Sequence, residues 1–175
     1  MEVGDARDLS ILEADSFDAV LCLGPLYHLH HQEDRDKVVR ECIRILRKSG
    51  IAFFAFISKY GPITDTVKMR PEAISRQAPL LLNFIETGVQ VVDQSSSGWT
   101  DAYFVDPMLI DRIMEPFPLK KRGLYGLEGM VAQSEDRIYQ LGEEVTAAWV
   151  DFIYQTAQEP SIAASSEHIL YVGRK

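Results

Sequence analysis

Cysteine is scarce in this chain, with two residues in 175, which excludes a disulfide framework. Cys22 sits in an apolar run and Cys42 in a helical pattern, an arrangement that suits a reducing, cytoplasmic setting. Positive charge is in deficit: 18 Lys and Arg stand against 26 Asp and Glu, a net charge of −8, which argues against a nucleic-acid partner. No apolar run approaches the roughly 18 residues of a membrane span. The opening MEVGDARDLS has neither a basic stretch nor an apolar one, so no secretory leader is expected. Dinucleotide and phosphate signatures are missing as well. There is no G-x-G-x-x-G; the nearest approach, Gly123, Gly126 and Gly129, is evenly spaced by threes and lies late in the chain. No Walker A sequence or nucleophile elbow is present.

What is there is ordinary globular composition, 46% hydrophobic and 25% charged, in a chain long enough to bury a core. Phe17 to Leu23 (FDAVLCL) is an almost continuous apolar run bounded by Asp15-Ser16 and Gly24-Pro25, which predicts a strand buried on both faces. Asp34 to Leu46 reads as a helix, with Val38, Val39, Cys42, Ile43 and Leu46 on one side and Gly50 as its C′ residue. Ile51 to Ile57 (IAFFAFI) reads as a second buried strand, completing a βαβ unit. Further along, Pro71 can open a helix, and Asp106-Pro107 is an N-cap and N1 pair. Leu119 to Tyr125 is a candidate strand. Glu143 to Gln158 reads as an amphipathic helix, and His168 to Val172 as a final strand. Neither repeats nor linkers interrupt the pattern, so 1–175 is expected to form a single domain.

Three groups of residues invite a functional reading. In open α/β sheets, ligands sit outside the carboxyl ends of the strands. At such a place Asp5, in Gly4-Asp5-Ala6-Arg7-Asp8-Leu9, can accept a hydrogen bond from an adenine amino group, or Gly4-Asp5 can be a plain turn. Leu23-Gly24-Pro25-Leu26-Tyr27-His28 directly follows the first buried strand. Gly24 permits close approach of a ligand to the backbone, and Tyr27 and His28 carry polar tips to the same end; alternatively the aromatic rings only pack on their neighbours. The third group, His28, His30 and His31 with Glu33 and Asp34, suggests a metal. HLHHQED lacks the H-x-H-x-D-H spacing of metal-dependent hydrolases, and only His168 remains elsewhere, so no metal site is expected.

Taken in order, GDARDLSILEADSFDAVLCLGPLYHL and RECIRILRKSGIAFFAFISKY are similar to the second half of class I S-adenosylmethionine (SAM)-dependent methyltransferases. There a "GDA.dL" segment follows the third strand, "sFDlVl.lGplyHl" forms the fourth, and an "R.LkpgG" turn precedes the fifth. DAYFVDP and SSEHILYVGRK resemble a bacterial methyltransferase-like branch of that family. Lys48-Ser49-Gly50 departs from the commoner Pro-Gly-Gly turn. The resemblance implies that Asp5 holds the adenine amino group and that the Ala6 backbone meets the ring. It implies that Leu23 and Gly24 approach the methionine part of SAM, and that Tyr27 and His28 face the methyl group or acceptor. His28 is then the candidate catalytic base, or it positions the acceptor, since a sulfonium is already an activated donor and alignment does most of the work.

The resemblance also implies a fold: an α/β, Rossmann-like class I methyltransferase fold, N-terminally truncated, with a mostly parallel sheet of family strands 4-5-7-6 flanked by helices. Its first strand, its Gly-rich loop and the acidic residue for the SAM ribose would lie upstream of Met1. The strand at Phe17 to Leu23 would then be an edge that invites pairing, so a homodimer or larger assembly covering it is expected. Residues 58–100 are expected to form a lid or cap, with Tyr60 and Trp99 as substrate-binding candidates and Phe84 as another wall residue; packing of a covering helix is the rival account. The resulting functional expectation is methyl transfer from SAM to a small molecule. The alternative is a non-catalytic interaction module with weak SAM binding or none, because the missing loop would remove many cofactor contacts.

Overall fold

A computed structural model describes residues 3–92 and 100–175. The expected βαβ unit is present. Strand β1 (Phe17–Cys22) leads through a short helix α1 (Pro25–His28) to α2 (Gln32–Ile45) and then to β2 (Leu46–Ser58). The apolar stripe of α2 explains its placement: Val38, Val39, Cys42 and Ile43 are buried against Ala52, Phe54 and Phe56 of β2. After β2 come α3 (Gly61–Met69), a 3-10 turn at Pro71–Ala73, α4 (Ile74–Thr87), β3 (Val89–Gln90) and β4 (Ala102–Val105). A second 3-10 turn (Pro107–Leu109) runs into α5 (Ile110–Met114), then β5 (Lys120–Gly126). A 3-10 segment (Gly129–Ser134), α6 (Glu135–Gln140), α7 (Glu143–Thr156), α8 (Pro160–Ser165) and β6 (His168–Arg174) complete the chain.

The sheet path β1-β2-β6-β5 corresponds to the expected order 4-5-7-6, but the sheet is mixed rather than mostly parallel. β1 and β4 pair with β2 in parallel, whereas β6 runs antiparallel to both β2 and β5, and β3 is antiparallel to β4. The physical reason is the connection into β6. α8 packs beside β5, and its last turn brings the chain back next to Gly126, the last residue of β5, so that β6 starts where β5 ends and runs back along it, Ile169 opposite Gly126 and Arg174 opposite Lys120. β4 joins β2 only at Ile57 and Ser58, beyond the end of β1.

Two local expectations are corrected. The α2 helix ends at Ile45, and the left-handed residue of the connection is Ser49 (φ 67°), not Gly50. Gly50 already lies in β2, where an added Cβ would stand 2.9 Å from the Asp18 carbonyl oxygen, so close strand approach is what excludes a side chain there. β1 is not buried on both faces. Phe17 is 40% and Leu21 64% exposed, and Cys22 alone in the strand is buried, because no strand among the described residues pairs with its outer edge. Among the described residues the apolar face of α7 is covered only in part, by α6. None of its residues is buried, and Phe152 is 57% exposed.

The corner between α2 and β2 is closed by Lys175. Its Nζ donates to the Ile43 carbonyl at 2.7 Å, the Leu46 carbonyl at 2.6 Å and Asp15 Oδ1 at 2.8 Å. A cation here satisfies carbonyls that the last turn of a helix leaves open and sits at the negative end of its dipole. We expect Lys175→Ala to cost about 1–3 kcal/mol in urea unfolding. An unchanged midpoint would show that water replaces the ammonium without loss.

Candidate functional site

The carboxyl ends of β1 and β2 bring the sequence-predicted residues to one region. Asp5, Ala6 and His28 line a single shallow depression of about 530 Å³, together with Gly4, Arg7 and Pro25. Pro25 at the first position of α1 fixes the turn out of β1, and Leu26, 1% exposed, anchors that helix in the core. Ala6 packs on the same core from the other side of the depression. The lining is therefore mounted on anchored backbone although most of its side chains are exposed.

Asp5 already has a partner. Arg7 donates from Nε to both carboxylate oxygens (3.0 and 3.1 Å), from Nη2 to Oδ2 (2.6 Å) and from its backbone N–H to Oδ1 (2.9 Å). These bonds, with the side chain of Arg7 first, hold the Asp5 carboxyl at about 2, from an ordinary 3.8. Arg7 also reaches Asp34 at the start of α2 (3.2 Å), so the guanidinium ties the loop to the helix. Sequence reading passed over Arg7, although its place two residues after Asp5 in the same motif marks an Asx-type turn.

Leu23 and Gly24 follow β1 at the rim. The Leu23 carbonyl accepts the Tyr27 hydroxyl at 2.6 Å, while its side chain is 50% exposed. A Cβ built on Gly24 meets nothing nearer than Tyr27 Oη at 3.9 Å. The protein's own packing therefore does not demand a glycine, and the open space above its backbone is available to a ligand. The Tyr27 and His28 rings lie 4.9 Å apart, and His28 Nδ1 stands 3.2 Å from the Asp101 carbonyl oxygen. Asp101 also lies 4.0 Å from His30 Nδ1 and accepts from the Val92 N–H through Oδ1. This residue, 73 positions from His28, carries no signal in the sequence that could have linked them.

The other candidates lie apart. Tyr60 caps the start of α3, 39% exposed, its ring 5.5 Å from Lys59 Nζ, and it does not line the depression. Trp99 lies outside the described residues. Within 58–100, α3 and α4 build a second small core of Leu81, Phe84, Ala102 and Phe104 with Ile57 and Ile63 against the end of the sheet, and Phe84 belongs to that core. His30, His31, Glu33 and Asp34 sit around the start of α2; among the described residues no three His, Cys, Asp or Glu side chains are grouped to hold a metal ion. No helix among them is long and apolar enough to cross a membrane.

Residues 1–54 match a family described as "Methyltransferase domain", which covers β1, α1, α2 and most of β2. A search of curated proteins finds no significant match. Among solved structures, a SAM-dependent methyltransferase from Methanosarcina mazei superposes with a TM-score of 0.56 at 12% identity, over 99% of this chain and 66% of that one. One from Archaeoglobus fulgidus gives 0.50 at 15% identity, over 100% and 66%. A protein from Pyrococcus horikoshii OT3 gives 0.51 at 17%, over 99% and 57%. The chain thus spans less than two thirds of the length of these structures. The fold is that of class I SAM-dependent methyltransferases, and the matched family segment contains every residue of the depression.

The ion pair at the rim can be tested directly. In Arg7→Ala the Asp5 carboxyl should titrate upward from about 2 toward 3.8, followed by carbon-13 NMR of the side chain. A value still near 2 would mean that Arg7 is not what holds it down.

Proposed function

We propose that this chain is a SAM-dependent methyltransferase, or the part of one that carries the acceptor side, acting on a small molecule. The observation that carries the reading is Gly24. At the carboxyl end of β1, inside the segment matched to the methyltransferase family, it leaves open space next to a depression lined by Asp5, Ala6 and His28.

SAM fits this chemistry in outline. Asp5 is fully ionised near neutrality, and because Arg7 already donates twice to each of its oxygens, it accepts an exocyclic amino group at the rim by exchanging one of those bonds. The Ala6 backbone flanks the same depression. Gly24 and the rigid start of α1 let a ligand run along the main chain. SAM, when bound, supplies an activated methyl group on sulfur. His28 and Tyr27 stand beside that path, and both are placed to orient an acceptor or hold its hydrogen bond. Because the Tyr27 hydroxyl already donates to the Leu23 carbonyl, its remaining capacity at that atom is as an acceptor. In this reading α3 and α4, within residues 58–100, form the cap.

The open edge of β1, with Leu21 exposed, supports a second proposal: a second copy of the chain pairs there, as unpaired strand edges invite. Light scattering should find a dimer or larger species in the wild type and a monomer in Leu21→Lys. A monodisperse wild-type monomer would contradict pairing.

Calorimetry with S-adenosylhomocysteine tests the cofactor reading. Binding is expected in the wild type, with an affinity loss of about tenfold or more in Gly24→Val and no loss of thermal stability. Absence of heat at millimolar ligand would leave this chain a non-catalytic relative of the family, and equal affinity in Gly24→Val would move the ligand elsewhere.

A further inference from the structure

A second cavity, about 510 Å³, opens over the end of β2 past the end of β1, between α3, α4, β4 and the start of β6. Its wall is largely apolar: Ile57, Leu80, Leu81, Phe84 and Phe104. One imidazole lines it, His168, the first residue of β6.

That imidazole is held in one orientation. Glu128 accepts from His168 Nδ1 at 2.5 Å through Oε1 and from the His168 backbone N–H at 2.9 Å through Oε2. The loop carrying Glu128 is itself pinned. Leu127 N–H donates to the His168 carbonyl (3.0 Å) and Gly129 N–H to Ser166 Oγ (3.1 Å), while Ser166 is fully buried. An added Cβ at Gly126 would collide with Ser166 Oγ at 2.1 Å, so the loop approaches as closely as glycine allows. Burial works to raise the Glu128 carboxyl, but its bonds from the His168 side chain and backbone outweigh this and keep it low. The Glu128 hydrogen bond in turn raises His168 above its ordinary 6.5 against desolvation. A carboxylate on Nδ1 fixes the tautomer and leaves Nε2 as the basic nitrogen. No hydrogen-bond partner occupies Nε2 among the described residues.

The location fits the site already described. Cys22, the last residue of β1, pairs with Phe54, while His168 pairs with Ile57 from the opposite side of β2. With neighbouring strands roughly 4.8 Å apart, the two backbones are separated by roughly 10 Å. A methyl donor lying along Gly24 and a small molecule in the cavity can meet across the end of β2.

We propose that this cavity takes the methyl acceptor, a small apolar molecule bearing one phenol-type hydroxyl, and that His168 Nε2 accepts the hydroxyl proton while Glu128 holds the ring. The inference rests on the methyltransferase reading for its purpose, but not for the binding it describes. The O–H bond breaks toward Nε2, the imidazole becomes imidazolium beside the Glu128 carboxylate, and the oxygen keeps the electron pair with which it can attack a methyl donor. Charge at the cavity selects the acceptor class. Glu128 and Glu167 face His168 from the loop and from the residue just before β6, and Glu135 of α6 lies further out, paired with Lys68 of α3. Asp65 and Arg70 lie 4.0 Å apart at the α3 wall. An anionic acid is disfavoured next to two carboxylates. A phenol, neutral until its proton leaves and with an ordinary pKa near 10, gains from a base whose own pKa is raised.

The test uses 4-propylphenol and its methyl ether, 4-propylanisole, with histidine nitrogen-15 NMR of the full chain. At a pH above the raised His168 pKa, the neutral ring of the wild type should be the Nδ1–H tautomer, and the phenol should move its Nε2 resonance. The ether, and the phenol with His168→Gln, should bind about fivefold more weakly or worse. Leu80→Trp, at a half-exposed wall position, should block the cavity without unfolding the protein. In Glu128→Gln the His168 pKa should fall toward 6.5 and the tautomer preference should disappear. Equal affinity for phenol and ether, or no Nε2 response, would overturn the proposal. Failure of S-adenosylhomocysteine to bind, with the phenol response intact, would instead overturn the methyl-transfer reading and leave the cavity assignment standing.

Discussion

The pairing of β2 on both of its edges is the constraint on which the rest of this structure depends. β1 lies along one edge from Leu46 to Phe54, and β6 along the other from Ile51 to Ile57. Ala52 and Phe54 are fully buried as a result, and they carry the main core shared with α2 and α5. Every functional feature described above hangs from the carboxyl end of this one strand. Gly24 leaves β1 on one side of it, His168 enters β6 on the other, and β4 attaches at Ile57 and Ser58, just past the point where β1 stops. Lys175 then locks the opposite end of β2 to the last turn of α2.

The consequence is a division of labour between two concavities. The one beside β1 is shallow, with its carboxylate fixed by Arg7 and a glycine facing open space beside it. The one reaching the start of β6 is more enclosed, with His168 oriented by Glu128 at its wall. An extended donor suits the first and a compact acceptor the second. Placing both near the carboxyl end of one buried strand ties their spacing to the sheet, which favours the alignment that methyl transfer needs.

The local elements of this arrangement were legible in the sequence because they depend on neighbours in the chain. The spacing of Val38, Val39, Cys42 and Ile43 defined α2, and Asp106 caps the following turn by accepting from the Met108 N–H, as its position before Pro107 suggested. The family motifs placed Asp5, Ala6, Gly24 and His28 at one end of the sheet, and Asp5, Ala6 and His28 share one depression. What escaped was set by distant partners. β1 has the composition of a buried strand, but burial depends on a neighbour at its outer edge, and composition does not report that. Ser49 takes the left-handed conformation because the chain must turn one residue before Gly50 is pressed against Asp18. The apolar stripe on α7 is present as read, but α6 covers it only in part and none of its residues is buried. His168 and Glu128, forty residues apart, become a pair only because β6 returns antiparallel beside β5, a direction that apolar patterning cannot specify.

The most direct test of the central claim is an amide-resolved NMR titration of the chain with S-adenosylhomocysteine. The account predicts shifts concentrated at Gly4 to Arg7 and Leu23 to His28, with smaller changes at the start of β6 across the end of β2. Saturating shifts centred elsewhere, on α7 or the β5 face for example, or no shifts at all, would contradict it.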